Sequence, residues 1–365
     1  MKSLENIDRT SLSTDLVMDM LKLYQFKGKD FYYAEALKSR KNQMVAYTVE
    51  RDSFYTEKIL NLEISDYRLK MLIKKHSVSK NNTELILEHI VKSFTMIQEE
   101  IDTFDLITNE IFSLGRFIFG TKKFKFKSDI YNDTTTLFNE KKKKSRRMLL
   151  EQLLETYTKK VKENKFEQTL LITNFYVDFI NLQIFESYNE FIGLYILYIL
   201  LYRAGFKVFK YVSFFQLIYE NKEEFDDAVA KACYDWKDGY AVTGPLNKVI
   251  VELMLKGYYK IETELRNVNF DKKVKKTNDI EATILKLPQV FTKEMIRAKQ
   301  SYVSDSTINR TLKRLSSEGK VRANGVGRSA KWIRLVEYEN FEPLKPQLDM
   351  FELMSQLNSE DEASS

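Results

Sequence analysis

A short polar segment, residues 185–190, carries the side chains of this chain that are best suited to chemistry. Glu186 and Glu190 are carboxylates, while Ser187 and Asn189 add a hydroxyl and an amide. Such groups can orient a substrate or hold a metal ion, and the free backbone N–H groups at the start of a helix attract anions. The segment is therefore a candidate phosphate-binding loop, provided that its side chains leave room for a phosphate.

Two apolar stretches must position this segment. Residues 170–180 precede it, and residues 191–202, rich in Leu, Ile and Tyr, follow it. The second stretch is too short to span a bilayer, which needs about 20 residues, so we predict a buried core helix and no membrane partner. Gly205 comes soon afterwards and is a suitable residue to end that helix.

Composition predicts a mainly α-helical protein of two or three domains. The chain has 365 residues, 44% of them hydrophobic, and only 4 Pro and 11 Gly interrupt its long helical patterns. The single cysteine, Cys233, excludes an intramolecular disulfide and fits a reducing, cytoplasmic compartment. Because His76 and His89 are the only histidines, we expect no zinc site of the usual ligands.

Positive charge is concentrated near the C-terminus. Between residues 283 and 335, twelve Lys and Arg stand against three Asp and Glu, which gives this region a net charge of +9. The whole chain carries +6, so the remainder carries −3. A small region with this much positive charge indicates a polyanionic partner.

The same region has the pattern of a winged helix-turn-helix domain. The predicted elements, in order, are helices over 280–287, 292–299 and 304–316 and strands over 320–322 and 331–334. The third helix would enter the DNA major groove, where Asn and Arg read base edges and Lys contacts phosphate. A module that contacts only protein, with its charges solvated, is the alternative. The predicted DNA-contacting residues are Ser306, Thr307, Asn309, Arg310, Lys313 and Arg314 on this helix, and Arg328 and Lys331 on the hairpin.

Two further basic stretches lie in the first half of the chain. Residues 120–133 alternate Lys with Phe, which predicts a short exposed strand or hairpin, with contact to nucleic acid as the alternative. Residues 141–147 hold four Lys and two Arg at the start of a helix. There we expect a solvated face, with phosphate contact as the alternative.

These patterns divide the chain. We predict an irregular, partly helical N-terminal arm (1–30), a helical domain (31–270), a charged linker (271–277), the winged helix-turn-helix domain (278–336) and an acidic, disordered tail (337–365).

The tail contains a peptide that resembles the motif by which proteins bind bacterial sliding clamps, and its apolar side chains could fill a groove on such a partner. A tail helix packed on its own domain is the alternative. The peptide comprises Gln347, Leu348, Asp349, Met350 and Phe351.

The order of parts resembles the Fic (Fido) family, whose members transfer nucleotide from ATP to protein hydroxyls. The family loop reads His-Pro-Phe-x-Asp/Glu-Gly-Asn-Gly-Arg, and the apolar helix after it often ends in Arg-Ala-Gly, as residues 203–205 do here. Residues 287–292, Leu-Pro-Gln-Val-Phe-Thr, are similar to the opening of the winged helix that many members carry. The resemblance covers roughly residues 31–335 and implies a Fic-like helical core with a small β-hairpin flap, followed by a winged helix-turn-helix domain.

Aligned with the family motif, the loop has lost most of its chemistry. The catalytic histidine falls on Gln183, which has no usable basicity, and the phosphate-binding arginine falls on Phe191. The two glycines fall on Tyr188 and Glu190, whose side chains lie where the backbone should approach a phosphate. The loss of all these groups together argues against family-type nucleotidyl transfer.

The remaining loop positions have structural interpretations. Phe185 and Asn189 match the family motif, and we predict that Phe185 packs in the core and that Asn189 caps the helix beginning beside it. The metal-binding acid of the family falls on Ser187, although Glu186 is adjacent.

We therefore expect a Fic-like protein that lacks nucleotidyl transfer and acts as a DNA-binding regulator or scaffold. No catalytic residue, metal or other cofactor is expected. The alternative is a divergent AMP transferase acting on protein hydroxyls, which would use Glu186, Ser187 and Asn189 with ATP and Mg²⁺. The expected partners are DNA and, through the tail, a sliding-clamp-type protein, and a homo-oligomer stays open.

Overall fold

The structure is a computed structural model that describes residues 2–129, 131–132, 143–273, 279–299, 305–325 and 330–335. The chain divides into two compact units, Met1–Asn267 and Val268–Ser365. Nearly all of the regular structure is helical, as composition predicts, and small antiparallel sheets of two and three strands complete it.

The first unit is almost entirely helical, and its last helix, α13, continues past the boundary between the units. Its helices are α1 (Lys2–Glu5), α2 (Thr14–Gly28), α3 (Asp30–Ala36), α4 (Lys41–Leu60), α5 (Asp66–Lys75), α6 (Asn82–Glu100), α7 (Thr108–Phe119), α8 (Arg146–Glu163), α9 (Gln168–Leu182), α10 (Asn189–Arg203), α11 (Phe214–Glu220), α12 (Lys222–Cys233) and α13 (Gly244–Lys273). Between α7 and α8, strands β1 (Tyr131–Asn132) and β2 (Lys143–Lys144) pair antiparallel, with Tyr131 opposite Lys144.

Helix α10 is the centre of this unit. All twelve residues from Phe191 to Tyr202 are buried, and the helix packs along α9. A helix that is apolar all round must be covered on every side, so the prediction of a buried core helix is confirmed. Among the residues that the structure describes, no helix is both long and apolar enough to cross a membrane.

Helix α6 packs beside α4 and reaches the central helix. The sequence pattern predicts a helix over residues 83–101, and the structure has one over Asn82–Glu100. Asn81 accepts a hydrogen bond from the Glu84 N–H and so caps its start. Near its other end, buried Gln98 donates from Nε2 to the Tyr198 hydroxyl (2.9 Å), which ties α6 to α10.

The N-terminal arm is more regular than predicted. Its principal element is α2, where Leu16, Met20 and Leu23 repeat at helical spacing and are buried. Before it, the backbone N–H groups of Ser3 and Leu4 donate to the buried Asp178 carboxylate of α9 at 2.8 and 3.0 Å. The arm is thus fixed to the helix that leads into the candidate loop.

The basic, Phe-containing segment after α7 is fixed by its aromatic side chains. Phe124 is fully buried, and its ring lies over Gly115 of α7. Phe126 forms an isolated antiparallel bridge with Phe185 rather than pairing within a local hairpin. The predicted extended chain is thus present at Phe126, and its pairing partner comes from the loop before α10. We call residues 120–129 the flap segment.

Because of the close contact at Gly115, we expect alanine at this position to destabilise the protein, whereas alanine in place of glycine normally stabilises a helix. A Cβ added there would lie 2.2 Å from Cε1 of Phe124, so Gly115→Ala should lower the free energy of unfolding by about 1–3 kcal/mol. In an unobstructed helix the same change stabilises by up to about 1 kcal/mol. Gly28→Ala in α2 is the control, because nothing lies within 4 Å of an added Cβ there. Urea unfolding compares the two variants, and a stabilised Gly115→Ala protein would contradict this packing.

A buried carboxylate in α4 makes stability depend on pH. Asp52 Oδ1 accepts hydrogen bonds from Ser213 Oγ (2.6 Å) and the Phe215 N–H (2.9 Å) at the start of α11. Burial raises the pKa of Asp52 to about 7, although these two bonds oppose the rise. In the unfolded chain the pKa returns to about 4. Between those values the folded state keeps a proton that the unfolded state has lost, so this contribution to stability falls as the pH rises from about 4 to about 7.

Asp52→Asn should remove that dependence. Between pH 5 and pH 8 the wild type should lose about 1–3 kcal/mol more of its free energy of unfolding than the variant does. Urea unfolding at the two pH values measures the change. Asp66→Asn, at an exposed position of α5, is the control and should track the wild type. Parallel behaviour of Asp52→Asn and the wild type would show that Asp52 does not titrate in this range.

The second unit has its own small core. Its elements are α14 (Asp279–Leu285), β3 (Val290–Thr292), α15 (Lys293–Lys299), α16 (Asp305–Ser317), β4 (Val321–Asn324) and β5 (Lys331–Arg334). The strands form an antiparallel sheet in the order β3-β5-β4. The buried residues come from every element except β5 and from the turn after α14, namely Ile280, Ile284, Leu287, Phe291, Ile296, Ile308, Leu312, Leu315 and Val321, and Trp332 of β5 packs against them. The predicted helices and hairpin strands of this region agree with these bounds to within a few residues.

Candidate functional site

The candidate loop begins where α9 ends. Gln183 has a left-handed backbone conformation, with φ of +44°, which stops the helix. Its side-chain amide donates to the Ile180 carbonyl (2.9 Å) and to Glu190 Oε1 (3.3 Å). The position that aligns with the family's histidine thus carries a neutral amide tied to the helix end and to a carboxylate, and it has no basic nitrogen.

Phe185 anchors the loop to the flap segment. Besides the backbone bridge to Phe126, its ring packs with centroids 4.4 Å from Phe124 and 5.3 Å from Phe126. The ring is buried, so the predicted core role of Phe185 is confirmed. These contacts hold the middle of the loop against α7 and the flap segment.

Aromatic rings occupy the part of the loop where the family motif has glycine and arginine. Tyr188, in a left-handed conformation with φ of +61°, stacks on Phe119 at 3.7 Å between centroids and 3° between planes. Phe191, 4% exposed, meets the same Phe119 ring edge-on at 5.6 Å and 86°. We call Phe119, Tyr188 and Phe191 the aromatic plug. It combines stacked and edge-on ring contacts, both favourable geometries.

Asn189 does not cap α10, so that prediction is wrong. It is the first residue of the helix, and Tyr188 holds the N-cap position without a side-chain hydrogen bond. Asn189 Oδ1 instead accepts a hydrogen bond from the Phe185 N–H (3.3 Å), while its buried Nδ2 has no hydrogen-bond partner among the described residues. Because Tyr188 has a left-handed conformation, the helix begins at Asn189 itself. The Asn189 side-chain amide therefore stabilises the loop through its hydrogen bond with the Phe185 N–H.

The exposed groups of the loop are acidic or neutral. Glu186, Ser187 and Glu190 are exposed, and residues 183–191 contain no Lys, Arg or His. The loop therefore offers a phosphate no cation of its own and offers a hydroxyl no basic nitrogen. In the part of the chain that the structure describes, no three His, Cys, Asp or Glu side chains are grouped to hold a metal ion.

A cavity of about 770 Å³ lies between the start of α7 and one face of α8. Ile107, Thr108, Arg147 and Glu151 are among its lining residues, and none of residues 183–191 is. Its charges are balanced, because Arg147 pairs with Glu151 at 3.1 Å. This cavity does not belong to the loop.

The basic run at residues 141–147 is not uniformly solvated, which corrects the prediction for Arg146. That side chain is buried and donates to both carboxylate oxygens of Asp129 (2.9 and 2.6 Å) and to the Leu182 carbonyl (2.5 Å). An arginine is buried only when it is paired, and here the partners come from the flap segment and the end of α9. Residues 141 and 142 lie outside the described residues.

In the second unit, one face of α16 is buried and the other is open. Ile308, Leu312 and Leu315 lie in the core. Five of the predicted DNA-contacting residues are exposed on this helix, namely Ser306, Asn309, Arg310, Lys313 and Arg314. Lys331, at the start of β5, is exposed as well. Apart from Arg314, the described face therefore presents two cations and an amide on neighbouring turns of one helix.

Arg314 has a different environment from its neighbours. Its Nη2 donates to Glu281 Oε2 (2.8 Å) and its Nη1 to Glu318 Oε1 (2.7 Å). Lys320 donates to the other oxygen of the buried Glu281 carboxylate, also at 2.8 Å. One buried acid of α14 thus ties α16 to the strand that follows, and Arg314 is engaged in holding the unit together.

Other predicted residues are only partly placed. Thr307 lies within α16, but its side chain is not among those described, and Arg328 and the tail peptide at residues 347–351 lie outside the described residues. Arg322 was missed by the prediction. It is exposed on β4 next to buried Val321, and the alternation of Val321 with Arg322 is the sequence signal that could have identified it.

Comparison by sequence finds no relative, since no family model and no curated protein matches the chain. Solved structures that match the chain include Fic proteins. A Fic family protein from Desulfovibrio desulfuricans G20 aligns with a TM-score of 0.52 and 11% identity over 90% of this chain and 98% of its own. A Fic domain containing signaling protein from Bacteroides thetaiotaomicron VPI-5482 aligns with a TM-score of 0.51 and 14% identity over 68% of this chain and 98% of its own. At these identities the likeness shows the fold alone, and the chain has a Fic-like fold.

Proposed function

We propose that the chain binds DNA through residues 279–335, which act as a winged helix-turn-helix domain, and that its Fic-like unit serves as a regulatory or scaffold part without nucleotidyl transfer. The observation that carries the proposal is the face of α16, where Asn309, Arg310 and Lys313 are exposed while the opposite face is packed in the core. A rigid helix that displays such residues is suited to the major groove.

The contacts inside the unit divide its cations into two groups. Arg314 and Lys320 are held by Glu281, and Arg297 donates to both oxygens of Asp305 (2.6 and 2.5 Å). These residues position α15, α16 and the hairpin. Four other exposed cations are assigned to DNA, namely Arg310, Lys313, Arg322 and Lys331. Within this group Asn309 and Arg310 have the chemistry to read base edges, and Lys313 to contact phosphate.

The loop gives less support to the alternative of a divergent AMP transferase. Gln183 has no basic nitrogen, and the aromatic plug occupies the positions of the phosphate-binding glycine and arginine. Glu190 adds negative charge next to the start of α10, where a phosphate would bind. No described contact favours transfer, so we retain DNA binding as the proposed function.

Equilibrium binding of the full-length protein to labelled duplex DNA across a salt series tests this proposal. Affinity should fall steeply with salt, and Arg310→Ala should weaken binding by about 5- to 100-fold. Arg9→Ala removes an equally exposed arginine from the first unit and should leave affinity unchanged. If the affinity for DNA changes neither with salt nor in Arg310→Ala, a module that contacts only protein is the better explanation.

A further inference from the structure

The flap segment carries a row of cations that the proposed function does not use. Lys122, Lys123, Lys125 and Lys127 are all exposed, and so is Arg116 at the end of α7. We call these five residues the flap cations. None of them has an ion-pair partner among the residues that the structure describes.

The backbone holds the lysines of this row in place. The Lys127 N–H donates to the Ile184 carbonyl (3.0 Å), and the Glu186 N–H donates to the Lys125 carbonyl (3.1 Å). These bonds flank the bridge between Phe126 and Phe185. Since alternate residues of an extended chain point to opposite sides, burial of the phenylalanines directs the lysines outward.

Ring contacts make the row continuous with α7. Phe126 stacks on Phe112 at 4.5 Å between centroids, and the Arg116 guanidinium lies 5.4 Å from the centre of the Phe112 ring. The Phe112 ring is thereby packed within the protein by both neighbours. The surface offers point charges rather than a free ring for stacking a nucleobase.

The acidic groups near the row leave it positive. Asp129 is bound by the Arg146 guanidinium, which offsets most of its charge, although it also attracts Lys127. Glu186, which faces Lys125 across the backbone pairing, is the remaining acidic neighbour on that strand. Five cations against one free carboxylate form a strongly positive patch.

We propose that the flap cations form a second DNA-contacting surface, on the Fic-like unit, which grips the phosphate backbone without reading sequence. Lysine ammonium groups on an extended segment suit a repeating polyanion, because each neutralises one phosphate and releases counterions. The choice of DNA as the polyanion rests on the proposed function of residues 279–335.

Binding of labelled random-sequence duplex to the full-length protein across a salt series tests this inference. The test variant carries Lys123→Gln, Lys125→Gln and Lys127→Gln, and the control carries Lys70→Gln, Lys75→Gln and Lys80→Gln, which are exposed on and after α5. Each of the two variants therefore removes three positive charges from exposed positions. The flap variant should bind more weakly, with the slope of log affinity against log salt reduced by about 2–3, and the control should match the wild type.

The same variants in an Arg310→Ala background separate the two proposals. If the flap variant weakens binding while Arg310→Ala has no effect, the proposed function of residues 279–335 fails and the flap surface stands. If the flap variant keeps the wild-type affinity and salt slope, the inference is overturned. It is overturned equally if the variant loses affinity for a poly-glutamate peptide but not for DNA. Unchanged thermal melting of the variant ensures that any loss comes from charge and not from unfolding.

Discussion

Phe191→Ala is expected to lower the free energy of unfolding by about 3–5 kcal/mol. The ring is buried in the aromatic plug and has further ring contacts to Tyr195 (5.8 Å) and Phe215 (6.1 Å). Removing it leaves a cavity among rigid side chains that collapse poorly around the loss. Urea unfolding followed by circular dichroism measures the change.

Phe31→Ala is the matched control, because that ring is 83% exposed and its loss should change stability by no more than about 0.5 kcal/mol. Phe191→Arg, which restores the residue type of the family motif, should also destabilise the protein, since it places an unpaired guanidinium among packed rings. A Phe191→Ala protein as stable as the wild type would mean that the plug does not hold the loop.

Asp178→Ala should have an effect of similar size, about 3–5 kcal/mol. This buried carboxylate accepts the N–H groups of Ser3 and Leu4 and the indole N–H of Trp236, the last at 2.7 Å. Burial raises its pKa, although these hydrogen bonds act in the other direction. Truncation to alanine leaves three buried donors without this partner and weakens the attachment of the N-terminal arm to α9, where the bond from Ser3 Oγ to Asn174 Oδ1 remains.

Chemical denaturation of three proteins tests this prediction. Asp178→Asn keeps one acceptor oxygen and should lose less stability than Asp178→Ala, while Asp235→Ala, at an exposed position, should lose almost none. A loss of under about 1 kcal/mol in Asp178→Ala would show that the arm is not held by this carboxylate.

Strongly periodic elements of the fold could be predicted from the sequence. Helix α6 matches its predicted range to within one residue at each end, because its buried positions recur at helical spacing over five turns. Helix α10 is apolar in nearly every position, and burial explains that better than any surface role. In both cases the local pattern and the tertiary environment require the same structure.

The errors concern side chains whose roles depend on distant partners. Asn189 has the residue type of a helix cap, but the left-handed Tyr188, stacked on Phe119, changes where the helix begins. The sequence predicts a solvated face for Arg146, which is wrong, and gives no sign that Arg314, a predicted DNA contact, is also paired within the protein. Their acceptors, Asp129 and Glu281, lie 17 and 33 residues away in the sequence, and no local pattern identifies such partners.

The backbone pairing of the flap segment also could not be predicted from the sequence, because its partner is distant along the chain. Alternation of Lys with Phe correctly indicates extended chain, but Phe126 pairs with Phe185, 59 residues further on. Register between strands depends on which apolar faces can be buried together. Here that face includes Phe112 and Phe124, so the flap segment and the candidate loop form one packed layer.

These contacts give the proposal its physical basis. The loop that aligns with a nucleotide-transfer motif is closed by the aromatic plug beneath and by carboxylates at its surface. The exposed cations lie elsewhere, on the flap segment and on α16. The account therefore assigns binding of a polyanion to those surfaces and no nucleotide chemistry to the loop.

Incubation of the full-length protein with labelled ATP, Mg²⁺ or Mn²⁺ and an extract of candidate target proteins tests that assignment most directly. The account predicts no labelled protein above background, for the wild type and for Asn189→Ala alike. Label transferred to a protein hydroxyl by the wild type and abolished in Asn189→Ala would contradict it.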